Sequence, residues 1–373
     1  MLDAMLTAIS DLHLGDASGA RMFHDASQGQ RLADLCAEMT ADAGELVLCG
    51  DIFDFTALQL PEHGLEQFAR TVEMPELLKP QRTLLQLCQA IREANPIAMG
   101  ALEAAAAEMP ITIIAGNHDR HLAGPEGRAA LEALGLGKLR FEPELAVRQL
   151  GEFTIVLQHG HAWDPSNATA NGGGEVMTSV LHNAVIPFVR KCAPRSNVRV
   201  DPDRIVLLRP EERVVPVLER WLPPHLYVKF VDAFLEMLVD NGYLSRVRAM
   251  LATRDRIRVR LKADDDLWER SGHAALEALE GRRPIPGRPP PPDLLVLGHT
   301  HVLDWAVQEG RPGVQRLYAN LGSWTARAND AAGPLDATLP ALQIDAREGS
   351  MRAELRDLAH HGSLLQSFEV QRS

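Results

Sequence analysis

The chain alternates short apolar runs that stop abruptly with longer stretches whose apolar positions recur at helical spacing. The run Ile111–Ile114, ITII, reads as a buried strand of β-branched residues. It ends in Gly116-Asn117-His118-Asp119, where a small residue lets the backbone turn and polar side chains crowd the tip. Four other runs end the same way. Met5–Ser10 runs into Asp11-Leu12-His13, Leu46–Cys49 into Gly50-Asp51, Thr154–Gln158 into His159-Gly160-His161, and Leu294–Leu297 into Gly298-His299-Thr300-His301. In open α/β sheets the carboxyl ends of strands are where ligands and catalytic groups collect.

Between the runs, Arg31, Leu32, Leu35, Cys36 and Met39 set a helical rhythm over about Ala26–Thr40. The Leu- and Ala-rich stretch from Pro80 to Met109 predicts two helices divided at Asn95-Pro96 and closed by Pro110. A further helix is predicted near Glu126–Leu134, and Leu145–Leu150 with Phe153–Gln158 flank Gly151 as a hairpin. The pattern changes after Trp163. Asn171-Gly172-Gly173-Gly174 is a hinge-like turn, and Glu175–Glu280 is mostly helical. Val176, Val180, Leu181 and Val185 line one face there; Phe230, Phe234, Met237 and Leu238 line another. The stretch Arg283–Pro292, RPIPGRPPPP, is a stiff polyproline-type connector back to strand character at Leu294. Residues 164–292 therefore read as a mainly helical cap inserted into a sheet-based core made of residues 1–163 plus 293–373. Short strands follow at Gln315–Leu321, Ala341–Asp345 and Met351–Leu358, and the tail after His360 is expected to be poorly ordered. No internal repeat is present.

Length and composition narrow the class. A chain of 373 residues with 46% hydrophobic and 24% charged content suits a soluble globular protein with a sizeable core. A formal net charge of −12 argues against a general nucleic-acid or anionic-membrane binder. Cys36, Cys49, Cys88 and Cys192 are scattered with no C-x-x-C pair, which fits structural thiols and not a disulfide framework or thiolate zinc site. No apolar run approaches the ~20 residues of a membrane span. Asp11 lies so near the first residue that no cleavable leader is expected. The expected location is cytoplasmic.

Asp, Asn and His donors without cysteine suit Mn²⁺, Fe²⁺, Zn²⁺ or Ni²⁺. Asp11, His13, Asp51, Asn117, His159, His299 and His301 are too many for one ion. They divide sensibly over two ions about 3.5–4 Å apart, with Asp51 the natural bridge. Such a pair clamps a phosphate, lowers the pKa of a bridging water and aims the hydroxide in line at phosphorus. His118 is placed to protonate the leaving oxygen, with Asp119 expected to orient its ring. Asp54 and His121 are candidates to support the ligands. His161 is open between a metal or substrate contact and a solvated loop residue, Arg120 is a further, less central candidate, and Trp324 reads as a packing residue. Taken singly, Asp11-Leu12-His13 is a common triplet and Gly50-Asp51 an ordinary turn. The weight lies in five such motifs, in order, each behind a strand.

The ordered set D-x-H, G-D, G-N-H-D, H and G-H-x-H resembles the calcineurin-like metallophosphoesterase superfamily, over about Met5–Gly160 and Leu294–Ser323. The resemblance implies an α/β fold, a four-layer α/β/β/α sandwich with a dinuclear centre at its strand ends. It implies Asp11, His13 and His301 as ligands of one ion, Asn117, His159 and His299 of the other, Asp51 bridging, and His118 as catalytic histidine. Manganese is the first expectation, with iron, zinc or nickel as alternatives. The chain is also distantly similar to bacterial UDP-2,3-diacylglucosamine pyrophosphatases, sharing the D-x-H-L start, G-H-T-H and a helical insertion. That subfamily carries Arg where this chain has His118, and the insertion here is longer, so its substrate is not carried over.

The expected activity is hydrolysis of a small or medium phosphodiester or pyrophosphate under a helical lid. A phosphomonoesterase acting on phosphoproteins or nucleotides is the alternative, followed by a nuclease and by a metal-free scaffold of the same fold. The net charge of −12 and the few exposed-looking aromatics weigh against a nucleic-acid partner. A scaffold is expected to have lost ligands, and all seven are present. The basic run from Arg246 to Lys262 reads as a solvated helix face balanced by Asp255 and Asp264–Asp266, with a guanidinium clamp for a second phosphate as the alternative.

Overall fold

A computed structural model describes residues 4–18, 21–170, 172–195, 201–208, 211–243, 267–287, 289–309, 315–328, 338–347 and 349–371. The first sheet contains β1 (Ala4–Ile9), β2 (Glu45–Cys49), β3 (Ile111–Ile114), β4 (Arg140–Glu142), β10 (Pro340–Arg347), β11 (Ser350–Asp357) and β12 (Ser363–Gln371). Their order is β12-β11-β10-β1-β2-β3-β4. β1 to β4 run parallel, and β10 to β12 extend the sheet antiparallel from β1. The second sheet holds β5 (Leu145–Leu150), β6 (Phe153–Gln158), β7 (Leu294–Leu297), β8 (Leu303–Glu309) and β9 (Gln315–Leu321), in the order β5-β6-β7-β9-β8. β6, β7 and β9 are parallel, with antiparallel strands at both edges.

The central strands are apolar on both faces because both faces are covered. Leu6, Val47 and Ile114 pack against Ile155, Leu157 and Val296 between the sheets. Ile9, Leu46, Leu48 and Ile113 point outward, beneath α1 (Gln30–Ala41), α4 (Leu84–Ala94), α5 (Pro96–Ala105) and α6 (Gly127–Ala133). On the far side, Val156, Leu295 and Leu297 meet Ala274, Ala275 and Leu279 of α11 (Leu267–Leu279). The result is the four-layer α/β/β/α sandwich.

Local chemistry sets the helix boundaries. Thr83 and Gln86 form a reciprocal capping box at the start of α4; Asn95 ends that helix, and Pro96 occupies the first turn of α5. The helix expected from Ala26 begins later. Asp25–Gly29 forms a wider turn first, and α1 proper starts at Gln30.

A separate apolar cluster joins α3 (Leu65–Thr71), α7 (Gly173–Val180), α8 (Ile186–Cys192), α9 (Val214–Trp221) and α10 (Pro224–Asp240). Phe188 stacks on Phe230 with ring centroids 5.4 Å apart. Val180, Leu181, Val185, Phe230, Phe234, Met237 and Leu238 all face this cluster, as their spacing predicts. The cluster is tied to the short helix α2 (Phe55–Leu58) through Asn183, whose amide donates to the carbonyls of Ala57 and Gln59 at 3.1 and 2.8 Å. α11, by contrast, packs on the second sheet.

The expectation of a poorly ordered tail is corrected. Ser363–Gln371 form β12, which pairs with β11 and turns Phe368 and Val370 into the inter-sheet core. The edge strands β4 and β8 were not predicted. Asn171 and the run from Arg246 to Lys262 lie outside the described residues. The four cysteines are buried, and among the described residues none is in a disulfide. Among the described residues no helix is long and apolar enough to cross a membrane.

One polar clamp ties the two sheets at the edge away from the strand tips. Arg148 of β5 donates through Nη2 to Glu45 of β2 at 2.7 Å and to Thr112 of β3 at 2.9 Å. Burial alone would raise the Glu45 carboxyl, but hydrogen bonds from Arg148 and Thr112 hold it below its ordinary 4.5. A depressed carboxylate contributes stability that is present above its unfolded-state pKa and lost as pH falls through its folded-state value. Arg148→Met is therefore expected to lower unfolding free energy by about 2 kcal/mol near neutral pH, because it strands a half-buried carboxylate. The difference from the parent should shrink once Glu45 is protonated, as read from denaturant unfolding across the acid range.

Candidate metal centre

The tips of β1, β2 and β3 in the first sheet abut those of β6 and β7 in the second. At this seam His159 Nδ1 donates to the Cys49 carbonyl at 2.9 Å, which leaves Nε2 free to face inward. The approach is close enough to demand glycine. A Cβ on Gly50, which has φ +85°, would lie 2.6 Å from the His159 side chain, and one on Gly298 would lie 2.1 Å from Ser10 Oγ. Gly50 also provides the left-handed turn that presents Asp51.

Five of the seven expected ligands hold a left-handed backbone: Asp11 (φ 56°), His13 (51°), Asp51 (51°), His299 (72°) and His301 (56°). Such residues are strained by about 1–3 kcal/mol each and persist only where their surroundings over-determine them. Here the bonds are Asp11 N–H to the Gly50 carbonyl at 3.1 Å and His13 N–H to the Asp51 carbonyl at 2.9 Å.

All seven side chains come together. In the first group His13 Nε2 lies 3.0 Å from His301 Nε2, and Asp11 Oδ1 lies 3.2 Å from His301 Nε2 and 3.8 Å from His13 Nε2. Asp11 Oδ2 accepts from Ser10 Oγ and from the His299 N–H, whereas Oδ1 is buried without a hydrogen bond. In the second group His159 Nε2 lies 3.2 Å from Asp51 Oδ2 and 3.2 Å from Asn117 Oδ1, with His299 converging on the same place. Asp51 Oδ2 also faces His13 Nε2 at 3.9 Å, so it looks into both groups. Its Oδ1 is held by the His118 N–H at 2.8 Å.

Neighbouring ligands around a small divalent ion with bonds of about 2.1 Å stand about 3.0–3.4 Å apart. Most of these separations match that spacing, and the orphaned Asp11 Oδ1 points into the first group. The donor set, nitrogen and oxygen without sulfur, fits divalent metal binding.

The electrostatics follow from three buried carboxylates in one place. Burial would raise the Asp11 and Asp51 carboxyls, but the charge of His159 and contacts with neighbouring imidazoles hold both well below the ordinary range. The imidazoles respond in kind. Burial opposes their charge, yet hydrogen bonds to Asp11 and Asp54 carry His13 up to about 10, and the charges of Asp51 and Asp11 carry His159 up to about 9.

The group that meets the His118 ring is Asp54, and this corrects the role expected of Asp119. His118 Nδ1 donates to Asp54 Oδ1 at 2.7 Å, so Nε2 faces Asp51 across 4.0 Å. Asp119 instead accepts the backbone N–H groups of Ile52 at 2.7 Å and Gly116 at 2.6 Å, knitting the β2 and β3 loops together. Burial and then the charge of Asp51 push its carboxyl up to about 6.

Of the less central candidates, His121 contacts Gln59 and the Phe55 ring, away from the ligands. Trp324 is fully buried packing, its indole donating to the Pro340 carbonyl. His161 lies 5.4 Å from the His159 ring, and burial followed by repulsion from His159 and His299 drives it down to about 2.

Sequence reasoning missed Asp164, Asn167 and the role of Arg120. His299 Nε2 donates to Asp164 Oδ2 at 3.0 Å, leaving Nδ1 as the nitrogen available to a cation. Asp164 in turn accepts from Asn167 at 2.6 Å, and Asn167 Oδ1 takes a long 3.4 Å bond from Asn117 Nδ2. Arg120 donates to the Asn167 carbonyl at 2.7 Å and pairs with Glu175 of α7 at 2.5 Å. No spacing signal marks this set, because its members meet only after the chain folds back across the β7 tip.

No family description matches the chain, and no curated protein matches it. Among solved structures it resembles a conserved uncharacterized protein from Streptococcus pneumoniae described as a predicted phosphoesterase. That likeness covers 100% of this chain and 99% of the other, at 10% identity and a TM-score of 0.33. It also resembles Vacuolar Protein Sorting 29 from Cryptosporidium parvum, over 100% of both chains, at 16% identity and a TM-score of 0.34. A third is wild-type Vps29 from Entamoeba histolytica complexed with zinc, over 98% of both chains, at 11% identity and a TM-score of 0.32. Likenesses this distant carry no argument about activity, which rests on the site itself.

The Asp164 contact gives a direct test of the site's geometry. Asp164→Ala is expected to weaken the second metal position by about 10–100-fold, with one equivalent retained at the first. Metal content after dialysis, together with competition against a chromophoric chelator, measures this. Two equivalents held at parental affinity would rule out the supporting role.

Proposed function

We propose that this chain is a metal-dependent phosphoester hydrolase with a dinuclear centre, acting on a small or medium phosphodiester or pyrophosphate. The observation that carries the reading is Asp51 Oδ2, which faces His159 at 3.2 Å and His13 at 3.9 Å and so belongs to both ligand groups. Asp11, His13 and His301 would hold one ion, Asn117, His159 and His299 the other, and Asp51 both. When bound, such a pair supplies Lewis acidity toward a phosphoryl group and an activated water.

The chain's own residues do the rest. His118, oriented by Asp54, holds a proton on Nε2 at the edge of the centre for the leaving oxygen. The core, residues 1–163 with 293–373, provides the ligands, and residues 164–292 would form the mainly helical cap, with α7, α8, α9 and α10 as its described cluster. The cap supports a small substrate over a protein one, because His182, Asn183 and Pro187 share one cleft with His13 and Asp54. Phosphomonoester hydrolysis is the second reading, since the ligand set alone does not choose between esters.

Hydrolysis of bis-p-nitrophenyl phosphate against p-nitrophenyl phosphate, with Mn²⁺ or with chelator, separates the readings. A chelator-sensitive preference for the diester is expected. A preference for the monoester would promote the second reading, and no turnover of either would favour a scaffold. Asp51→Asn is expected to lose both metal occupancy and turnover; two metals and a normal rate in that variant would refute the ligand assignment. His118→Asn should slow esters with alkoxide leaving groups by about 10²–10⁴-fold, and p-nitrophenyl esters much less, because p-nitrophenolate leaves without a proton. Equal losses on both ester types would remove His118 from the acid role.

A further inference from the structure

A cleft of about 270 Å³ opens from His13 and Asp54 and runs between the loop after β1, the loop before α4 and the turn preceding α8. Its charged lining is unevenly satisfied. Asp54 is taken by His118 at 2.7 Å, Asp16 by Arg82 at 2.5 Å, and Glu76 by Lys191 at 3.2 Å. On the cationic side Arg190 pairs with Asp203 at 2.6 Å. Arg21 donates only to the Ala94 carbonyl, at 3.4 Å, and the Lys79 ammonium meets no acceptor among the described residues. Two cations without carboxylate partners thus border the cleft, in a chain whose formal net charge is −12.

We propose that this cleft receives a second anionic group, of phosphoryl type, carried on the same molecule as the phosphoester presented to the metal centre, with Lys79 and Arg21 recognising it. The proposal rests on the phosphoesterase reading and narrows it to substrates with two anionic centres. The carboxylates of the cleft are already engaged by His118, Arg82 and Lys191, so they offset the charges of Lys79 and Arg21 only in part. A purely apolar substituent would desolvate the half-buried Arg21 and offer no acceptor to it or to the exposed Lys79 at the cleft's edge. An oxyanion supplies the missing acceptor, and the apolar walls of Leu58, Leu77 and Pro187 lower the local dielectric and strengthen that attraction. The wall beside Arg21 is also fixed in advance. Asp16 accepts from the Ser18 N–H at 2.8 Å and from Ser18 Oγ at 2.6 Å as well as from Arg82, so ordering this loop is not left to the substrate.

The test uses the full-length protein loaded with Mn²⁺ and two series of p-nitrophenyl diesters. One series carries an ω-phosphonoalkyl group on a graded spacer, the other an n-alkyl group of matched length. The parent is expected to favour the best phosphonoalkyl ester by about tenfold in kcat/KM, and the double variant Lys79→Met/Arg21→Gln to bring that ratio close to one. The ratio is internal to each protein, so a general loss of activity does not imitate the result. A parental ratio near one, a preference for the alkyl series, or a ratio unchanged in the double variant would overturn the proposal. If no ester turns over, it is the phosphoesterase reading that fails, and the cleft is then judged by calorimetry with the same esters. Tighter binding of the phosphonoalkyl ester that the double variant loses would uphold the cleft; equal affinities would end it.

Discussion

The Asp51 carboxylate is the point on which the catalytic end of the molecule depends. It is buried, it faces His159 at 3.2 Å, and it shares its surroundings with the equally buried Asp11 and Asp54. Ionised carboxylates in a protein interior are costly unless cations and hydrogen bonds compensate them. Three in one pocket therefore require a dense set of positive partners, and the chain answers with a ring of imidazoles whose free nitrogens point inward. The same demand accounts for the left-handed backbone at Asp11, His13, Asp51, His299 and His301. The strain is held by the ladder that continues past the ends of β1 and β2, including Leu14 N–H to the Ile52 carbonyl at 2.8 Å.

Because the ligands come from both sheets, the site is also the seam that aligns them. His159 is anchored to the Cys49 carbonyl of the opposite sheet, and the His299 N–H binds the Asp11 carboxylate across the same gap at 3.0 Å. The absence of a Cβ at Gly50 and Gly298 lets the two tips meet. Sliding one sheet against the other would therefore separate ligands from both groups at once, which links the architecture of the sandwich to its chemistry. The helical cluster joins this system through Arg120 and Glu175, so α7 is connected through Asn167 to both Asn117 and Asp164.

Much of this was legible in the order of residues. Strands buried on both faces read as unbroken apolar runs, and each motif stood directly behind one. Asn95-Pro96 marked the junction between α4 and α5 because proline suits the first turn of a helix and not its interior. The illegible elements were edges. β8 is only half-buried along most of its length and β4 spans three residues, so neither has a covered face to impose a pattern. β12 carries its inward signal only in Phe368 and Val370, near its end. The assignment of Asp119 to the His118 ring followed adjacency in the chain, whereas the turn after Gly116 directs that carboxylate back to the amides of Ile52 and Gly116.

The sequence by itself determined the chemical character of the centre: which donors exist, that none is sulfur, and that each sits at the end of a strand. The period of a strand and the turn behind it are local properties, and local properties can be read along a chain. Only the tertiary structure decided how the donors are paired. Asp54 orients His118 from 64 positions away, and Asp164 holds the Nε2 of His299 from 135 away. Such contacts are products of the packing of two sheets and the loops between them, and no spacing within one element encodes them. The same holds for Arg21 and Lys79, two cations without carboxylate partners that only the folded chain brings to one cleft.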